Sequence, residues 1–468
     1  MQKFDLLIVG GGTVGLTLAL AIRQQSQLSV AIVDNAPIEA LSVEPEVRVS
    51  AINAASQQIF SQLNVWQDII AQRAQPYYDM HIWDKAGYGQ LNFALKDVSY
   101  SAAGNGPEQL GFIIENKAIR NALWQKAAQD SGIEFFTDSK LQQLNPSDNE
   151  VFATFEYNSH TNSQPMPIVA KLVVGADGAN SFVRQQMNVP LTFRDYDHHA
   201  IVATVKCQQG HQSTAWQVFL DTGPLALLPL YQADLCSIVW STSPEEAIRL
   251  TALSAEDFGK EITAASDGKL GQVSLVGERF TYPLTMRFAQ EFVKGRMVLV
   301  GDAAHTIHPL AGQGANLGLL DAAALSQTIS EQLREAQAKG TLDDNAWYSN
   351  KSLQQFARWR KSEAVAMIAS MEAIKQAFTP QQSAIKLLRG LGMSLLNNIK
   401  PAKALMINQA LGFKDDLPKL ATALSQQVPQ KLSEQVSPQV SKKTLQQLSH
   451  SPQSSQSPQP LPQQKNSS

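Results

Sequence analysis

The chain has 468 residues, 44% of them hydrophobic and 17% charged, with a net charge of −3. That length suits two or three domains with a sizeable core, and the charge balance gives no support for a nucleic-acid partner. Cys207 and Cys236 are the only cysteines, which excludes a disulfide scaffold, a CxxC redox centre and a cysteine-based zinc site and makes a reducing, cytoplasmic compartment the simplest fit.

Residues 6–22 carry no charge, and Ala19-Leu20-Ala21 imitates a signal-peptidase site. Asp5 stands where a signal peptide wants positive charge, and consecutive glycines interrupt the run, so a folded reading is preferred. Residues 4–10 are short and apolar, as in a buried strand. Residues 16–24 read as a helix and 29–34 as a second strand, which makes a strand–turn–helix–strand unit of the parallel kind. Further apolar strands are expected at 171–175 and 296–301, and a helix from about Gly314. Between them, residues 200–206, 215–220, 225–230 and 235–240 are β-rich and joined by turn residues, which suggests an inserted antiparallel sheet. Residues 363–378 read as a helix whose Met367, Met371, Ile374 and Phe378 form a core-facing stripe. No aromatic residue follows Phe413, and from about Ser425 Gln, Ser and Pro dominate, so a disordered tail is expected.

Gly10-Gly11-Gly12-Thr13-Val14-Gly15 fits G-x-G-x-x-G between an expected strand and an expected helix. Gly10 permits the tight turn, Gly12 lets a pyrophosphate approach the backbone, and Gly15 lets helix and strand pack closely. The phosphates would sit at the helix N-terminus. Asp34 closes the next strand, where a ribose-binding acid is expected. Two later strands end in an acid beside a glycine: Gly175-Ala176-Asp177-Gly178, followed by Arg184, and Val300-Gly301-Asp302-Ala303-Ala304-His305. A run from His308 to Gly318 follows, with Gly312, Gly314, Ala315 and Asn316 inside it and Asp321 beyond.

These motifs, in this order, resemble the FAD-dependent aromatic hydroxylases of the p-hydroxybenzoate hydroxylase type. The run from His308 with Asp321 resembles the ubiquinone-biosynthesis hydroxylase branch. Arg48-Val49-Ser50-Ala51-Ile52-Asn53, Asp195-Tyr196-Asp197-His198-His199-Ala200 and Cys236-Ser237-Ile238-Val239-Trp240 resemble most the members that hydroxylate 2-polyprenylphenols. The resemblance extends through about residue 415.

It implies an α/β fold: a Rossmann-like FAD-binding domain with an inserted antiparallel β-sheet substrate domain and C-terminal helices. The expected division is FAD-binding parts at 1–75, 111–190 and 286–378, substrate-domain parts at 76–110 and 191–285, amphipathic helices at 379–424 and a tail at 425–468. It implies FAD as cofactor, NAD(P)H as transient electron donor, and O2 as the source of an oxygen inserted ortho to the oxygen of a polyprenylphenol. The neighbouring methoxyphenol or demethoxyquinol step and an isoprenoid-lipid reductase are the alternatives. NAD(P)H would lack a Rossmann domain of its own, since Gly312-Gln313-Gly314 is spaced one residue too far from Gly318 for a second fingerprint. By motif position, Asp302 would bind the ribityl chain with Gly301 allowing close approach. Gly314, Ala315 and Asn316 would offer N–H groups to the flavin pyrimidine edge. Arg48 would meet the FAD phosphates, and Asn116 the ribityl chain. Asp177 belongs to the cofactor set or caps a turn.

No catalytic side chain is assigned. Asp302, His305 and His308 match metal ligands by type, but Pro309 and the glycines argue against the helical face such a site needs, so no metal is expected. His198 and His199 are read as structural. Other ubiquinone-biosynthesis proteins are candidate partners. No segment reads as a membrane span, so a lipid substrate would be met at the periphery of the inner membrane. Residues 384–412, with leucines among Lys386, Arg389, Lys400 and Lys403 and divided at Pro401, could lie on anionic lipid or pack on the FAD domain.

Overall fold

A computed structural model describes residues 1–97, 108–157, 165–307, 314–341, 343, 345–378, 383–414 and 416–422. Gly312, with the rest of 308–313, and the expected tail at 425–468 lie outside the described residues.

The uncharged N-terminal run folds into the core. Strand Gln2–Val9 ends in four buried residues, and helix Thr13–Gln25 buries Gly15 through Ile22. The strand lies between two parallel partners, Val30–Val33 and Pro165–Gly175. The sheet runs Val293–Lys294, Met297–Leu299, Pro165–Gly175, Gln2–Val9, Val30–Val33, Ile133–Phe136. Its register aligns Val9 with Gly175 and Gly175 with Leu299. Three neighbouring parallel strands therefore end level, and each is followed by one of the three glycine motifs. The sequence separates the motifs widely; the sheet sets them side by side at the carboxyl ends of its strands, the usual place for a ligand crevice.

A second sheet has the order His305–Thr306, Val273–Ala289, Leu191–Cys207, Leu235–Thr242, Gly223–Pro229, Thr214–Leu220, Asp79–Asp84, Gln90–Ala94. The four expected strands are present, and two features depart from expectation. The sheet is not wholly antiparallel, because Thr214–Leu220 pairs parallel with Asp79–Asp84, delivered from far upstream in the chain. The longest pairing, Leu191–Cys207 with Val273–Ala289, uses a strand that Gly277 and Pro283 interrupt with strand-breaking signals. Helices Pro244–Ala252 and Ala255–Ala265, capped by Ser243 and Ser254, cover this sheet around a core of Trp83, Val218, Ile238 and Phe258.

Helix Asn350–Phe378 buries Met371, and Phe378 stacks on Phe219 at 3.7 Å, but Ile374 is 39% exposed, so the expected stripe is only partly core. Beyond it lie helices Ser383–Asn398 and Lys400–Ala410, divided where Pro401 enters the first turn of the second. Of the two readings of this stretch, lying on lipid or packing on the protein, three of its four cations follow the second and pair with aspartates. Arg389 pairs with Asp84 at 2.5 Å, Lys403 with Asp97 at 2.6 Å and Lys386 with Asp221 at 3.1 Å. The helices pack on the sheet edge at Gln90–Ala94, and a cation drawn into such a junction needs a counter-ion. No described helix is long and apolar enough to cross a membrane.

Candidate FAD site and substrate cavity

The turn after the first strand is built by close approach. Gly10 has φ +110°, and a Cβ there would overlap the Ala176 carbonyl; a Cβ on Gly15 would overlap the Gly10 carbonyl. Gly12 is different, for an added Cβ meets no atom within 4 Å. It faces a groove instead, and it starts helix Thr13–Gln25 with no side-chain cap. The first N–H groups of that helix are thus left for an anion.

Asp34 lines the groove. Its carboxylate accepts the Gly11 N–H at 2.5 Å and the Ala36 N–H at 2.8 Å, which leaves further lone pairs for a ribose hydroxyl. Arg120 braces this corner by donating to the carbonyls of Gly11, Ala36 and Pro37. Asp177 accepts the N–H groups of Phe182 and Val183 through Oδ2, so it does cap a turn, while its Oδ1 is buried without a partner. Arg184 is buried and bridges the two acid–glycine turns, donating to the carbonyls of Ala179 and Ala303 at 2.8 Å each. Burial holds its pKa below the usual arginine range.

The Gly301 turn has two faces. In front, Asp302 opens onto the groove beside Gly12, Val14, Asn116, Gly314 and Ala315. Protein surrounds the carboxylate on its other sides, and this desolvation pushes its pKa up. Behind, Asp321 is buried and accepts the Gly301 N–H at 2.9 Å, His305 Nε2–H at 2.6 Å and Arg360 Nε–H at 2.7 Å. Burial alone would raise the Asp321 pKa, but the His305 and Arg360 charges and hydrogen bonds hold it low. His305 therefore points to Asp321, and no cluster of metal-ligating side chains occurs among the described residues. Val14 packs against Gly301 and Gly318; a Cβ on Gly318 would lie 2.8 Å from it.

Gly314 opens the helix Gly314–Lys339 at the groove. The Asn316 side chain is occupied with protein, donating to the Ala51 carbonyl at 2.7 Å and accepting the Asn53 N–H at 3.2 Å. Only its backbone could serve a cofactor. Asn116 accepts the Ser50 hydroxyl at 2.6 Å and lines the groove. Arg48 lines the cavity end of the cleft, its guanidinium 4.9 Å from the Tyr282 ring centre.

Gly178 lines every section of the cleft, which is one groove running from Asp34 to a cavity of about 750 Å³. That cavity meets Asp302, Thr306 and Ile307 on one side. On the other lie Ala200, Val202, Val239, Tyr282, Pro283 and Leu284 of the second sheet. Arg287 closes one wall, donating to the carbonyl of Ala179 and the side chain of Asn180. His198 and His199 are not among its described lining residues. A bulge interrupts their strand between Asp195 and His199, and His198 Nδ1 donates to the Tyr196 carbonyl.

The FAD binding domain family model matches residues 3–357. The chain is 34% identical to the ubiquinone hydroxylase UbiL of Rhodospirillum rubrum, covering 87% of this chain and 89% of that one. The chain belongs to the FAD-dependent hydroxylases of ubiquinone biosynthesis. It is also 32% identical to the 3-demethoxyubiquinol 3-hydroxylase of Escherichia coli, over 88% of this chain and 99% of that one. The mitochondrial ubiquinone biosynthesis monooxygenase COQ6 of Dictyostelium discoideum is 30% identical, over 87% and 91%. The p-nitrophenol 4-monooxygenase of Pseudomonas putida shares the fold, with a TM-score of 0.68 at 18% identity over 88% of this chain and 99% of that one.

The hydroxylase is a flavin-dependent monooxygenase, and its groove fits FAD. Gly12, Gly178 and Gly314 line it where an added Cβ would meet open space. Asp177 presents an unpartnered buried oxygen, and the first helix begins uncapped. Sequence reasoning missed Arg120 and Arg360 and gave Arg184 a place beside the Asp177 motif but no role, because isolated arginines carry no local pattern; only the fold shows which carbonyls or acids they reach.

Proposed function

We propose that this hydroxylase acts on a polyprenylphenol, inserting one oxygen ortho to the phenol oxygen with FAD, NAD(P)H and O2. The cavity carries the reading. Its volume of about 750 Å³ and its walls of Ala200, Val202, Val239, Pro283 and Leu284 suit an apolar aromatic ring, and Asp302 borders it from the cofactor side. Bound FAD supplies electron transfer from NAD(P)H and the activation of O2. The chain's residues do the rest. The Gly12 turn and the helix start after it would receive the phosphates. Asp34 and Asp302 would accept hydrogen bonds from ribose and ribityl hydroxyls. The N-terminus of Gly314–Lys339 would face the pyrimidine edge of a bound flavin, where its dipole would favour negative charge. The apolar walls exclude water around the ring. A phenol directs attack ortho or para to its own oxygen, so no protein nucleophile is required, and the seating of the ring selects the ortho position.

The likeness to the 3-demethoxyubiquinol 3-hydroxylase favours a second reading, hydroxylation of a demethoxyquinol at a neighbouring step. Deleting the gene and identifying the accumulated quinone precursor by mass spectrometry separates the two. A 2-polyprenylphenol supports the first, and a demethoxyquinone supports the second. An unchanged quinone pool would overturn both.

A further inference from the structure

The outward face of the two C-terminal helices has no partner among the described residues. Leu387, Leu388, Leu391 and Leu395 recur on one side of Ser383–Asn398 and are 57–67% exposed; Leu405 on the next helix is 70% exposed. Tyr88, beside this helix at Gly390, is 92% exposed. The opposite side is firmly seated: Met393, Ile407 and Leu411 are buried with Leu91 and Phe93. The inward ion pairs of Lys386, Arg389 and Lys403 fix the rotation of the helices, so the leucines are held outward rather than left loose.

We propose that this face docks the enzyme on the surface of a lipid bilayer. Charge and chemistry point to lipid. From Ala373 to Lys414 the chain has no acidic residue, and Lys400 at the helix junction is exposed. An anionic headgroup layer would therefore meet no like charge on these helices. Leucines above, an aromatic side chain at the rim and a lysine beside it match the interfacial pattern of a helix lying in the headgroup plane. The proposal rests on the polyprenylphenol reading for its purpose, since a polyprenyl chain partitions into the bilayer, but its test does not.

The FAD-loaded enzyme is floated with vesicles of phosphatidylethanolamine and phosphatidylglycerol, and turnover of a short soluble phenol is measured in parallel. Wild type should float with the vesicles. Leu388→Gln, Leu391→Gln and Leu395→Gln together should lower the partition on the order of a hundredfold, since three leucines lose their apolar burial. Lys400→Gln should lower it about fivefold. FAD content and soluble-phenol turnover should not change in either variant. Triple-variant binding equal to wild type would overturn the proposal. So would a wild-type dimer in light scattering that the triple variant dissolves without any vesicle binding, which would assign the face to a second copy. Failure of the phenol assay alone would count against the proposed reaction and leave the flotation result standing.

Discussion

The front and back of the cofactor groove obey opposite rules. In front, Asp302 opens onto the groove without a side-chain partner among the described residues, and Gly12 leaves space where a side chain would stand. Behind, Asp321 is paired with His305 and Arg360, and Gly15 is packed against the Gly10 carbonyl. The front is organised around a group the chain does not itself supply, so polar atoms stay unmet and volume stays empty. The back must hold that arrangement in place, so its charges are neutralised and its gaps closed. Stability should thus reside behind the groove and cofactor affinity in front of it.

The sharpest way to break this comparison is Asp321→Ala. It strands the buried Arg360 and His305 and frees the Gly301 N–H. We expect a loss of about 3–5 kcal/mol, read by urea denaturation, with much of the protein insoluble. Near-wild-type stability would contradict the division.

The two glycines offer the next test. Gly15→Val should destabilise the fold by about 1–3 kcal/mol through overpacking. Gly12→Val should change apoprotein stability by less than about 0.5 kcal/mol, because the side chain enters open space. It should nevertheless yield colourless protein, since that space is where the pyrophosphate would lie. A yellow Gly12→Val protein would remove Gly12 from the site.

A smaller effect is expected at Asp302. Its pKa is raised by burial, so in the apoprotein its ionised form costs stability once pH passes the usual aspartate range and the raised folded value. Asp302→Asn should therefore raise the apoprotein melting temperature slightly near neutral pH, while weakening FAD binding. Asp321 has the opposite sign. Its folded pKa is lowered, so its contribution is complete above the usual aspartate value and is lost as pH falls through the lowered one. Below about pH 4 wild type should lose stability more steeply than Asp321→Asn, measured by thermal melts across pH.

The front of the groove was far more legible in the sequence than the back. Gly10, Gly12 and Gly15 are marked by their spacing, and Asp177 and Asp302 stand beside glycines at strand ends, so local pattern was enough to place them along one groove. The strand Asp79–Asp84 was not legible as a parallel neighbour of Thr214–Leu220, because that pairing joins distant segments and leaves no periodic mark. Arg120 and Arg360 were silent for the same reason, and Arg184 was visible only as a neighbour of the Asp177 motif, without its role. Lys386, Arg389 and Lys403 looked like a basic face, because sequence shows a cation but not the distant aspartate that takes it.

The central claim is that the groove and the apolar cavity beside Asp302 together hydroxylate a polyprenylphenol. Incubating the purified FAD enzyme with NAD(P)H, a 2-polyprenylphenol and isotopically labelled O2, then analysing the product by mass spectrometry, tests it most directly. The expected result is a catechol carrying one labelled oxygen ortho to the original hydroxyl, formed in step with NAD(P)H oxidation. NAD(P)H oxidation with no labelled product from the phenol would contradict the account.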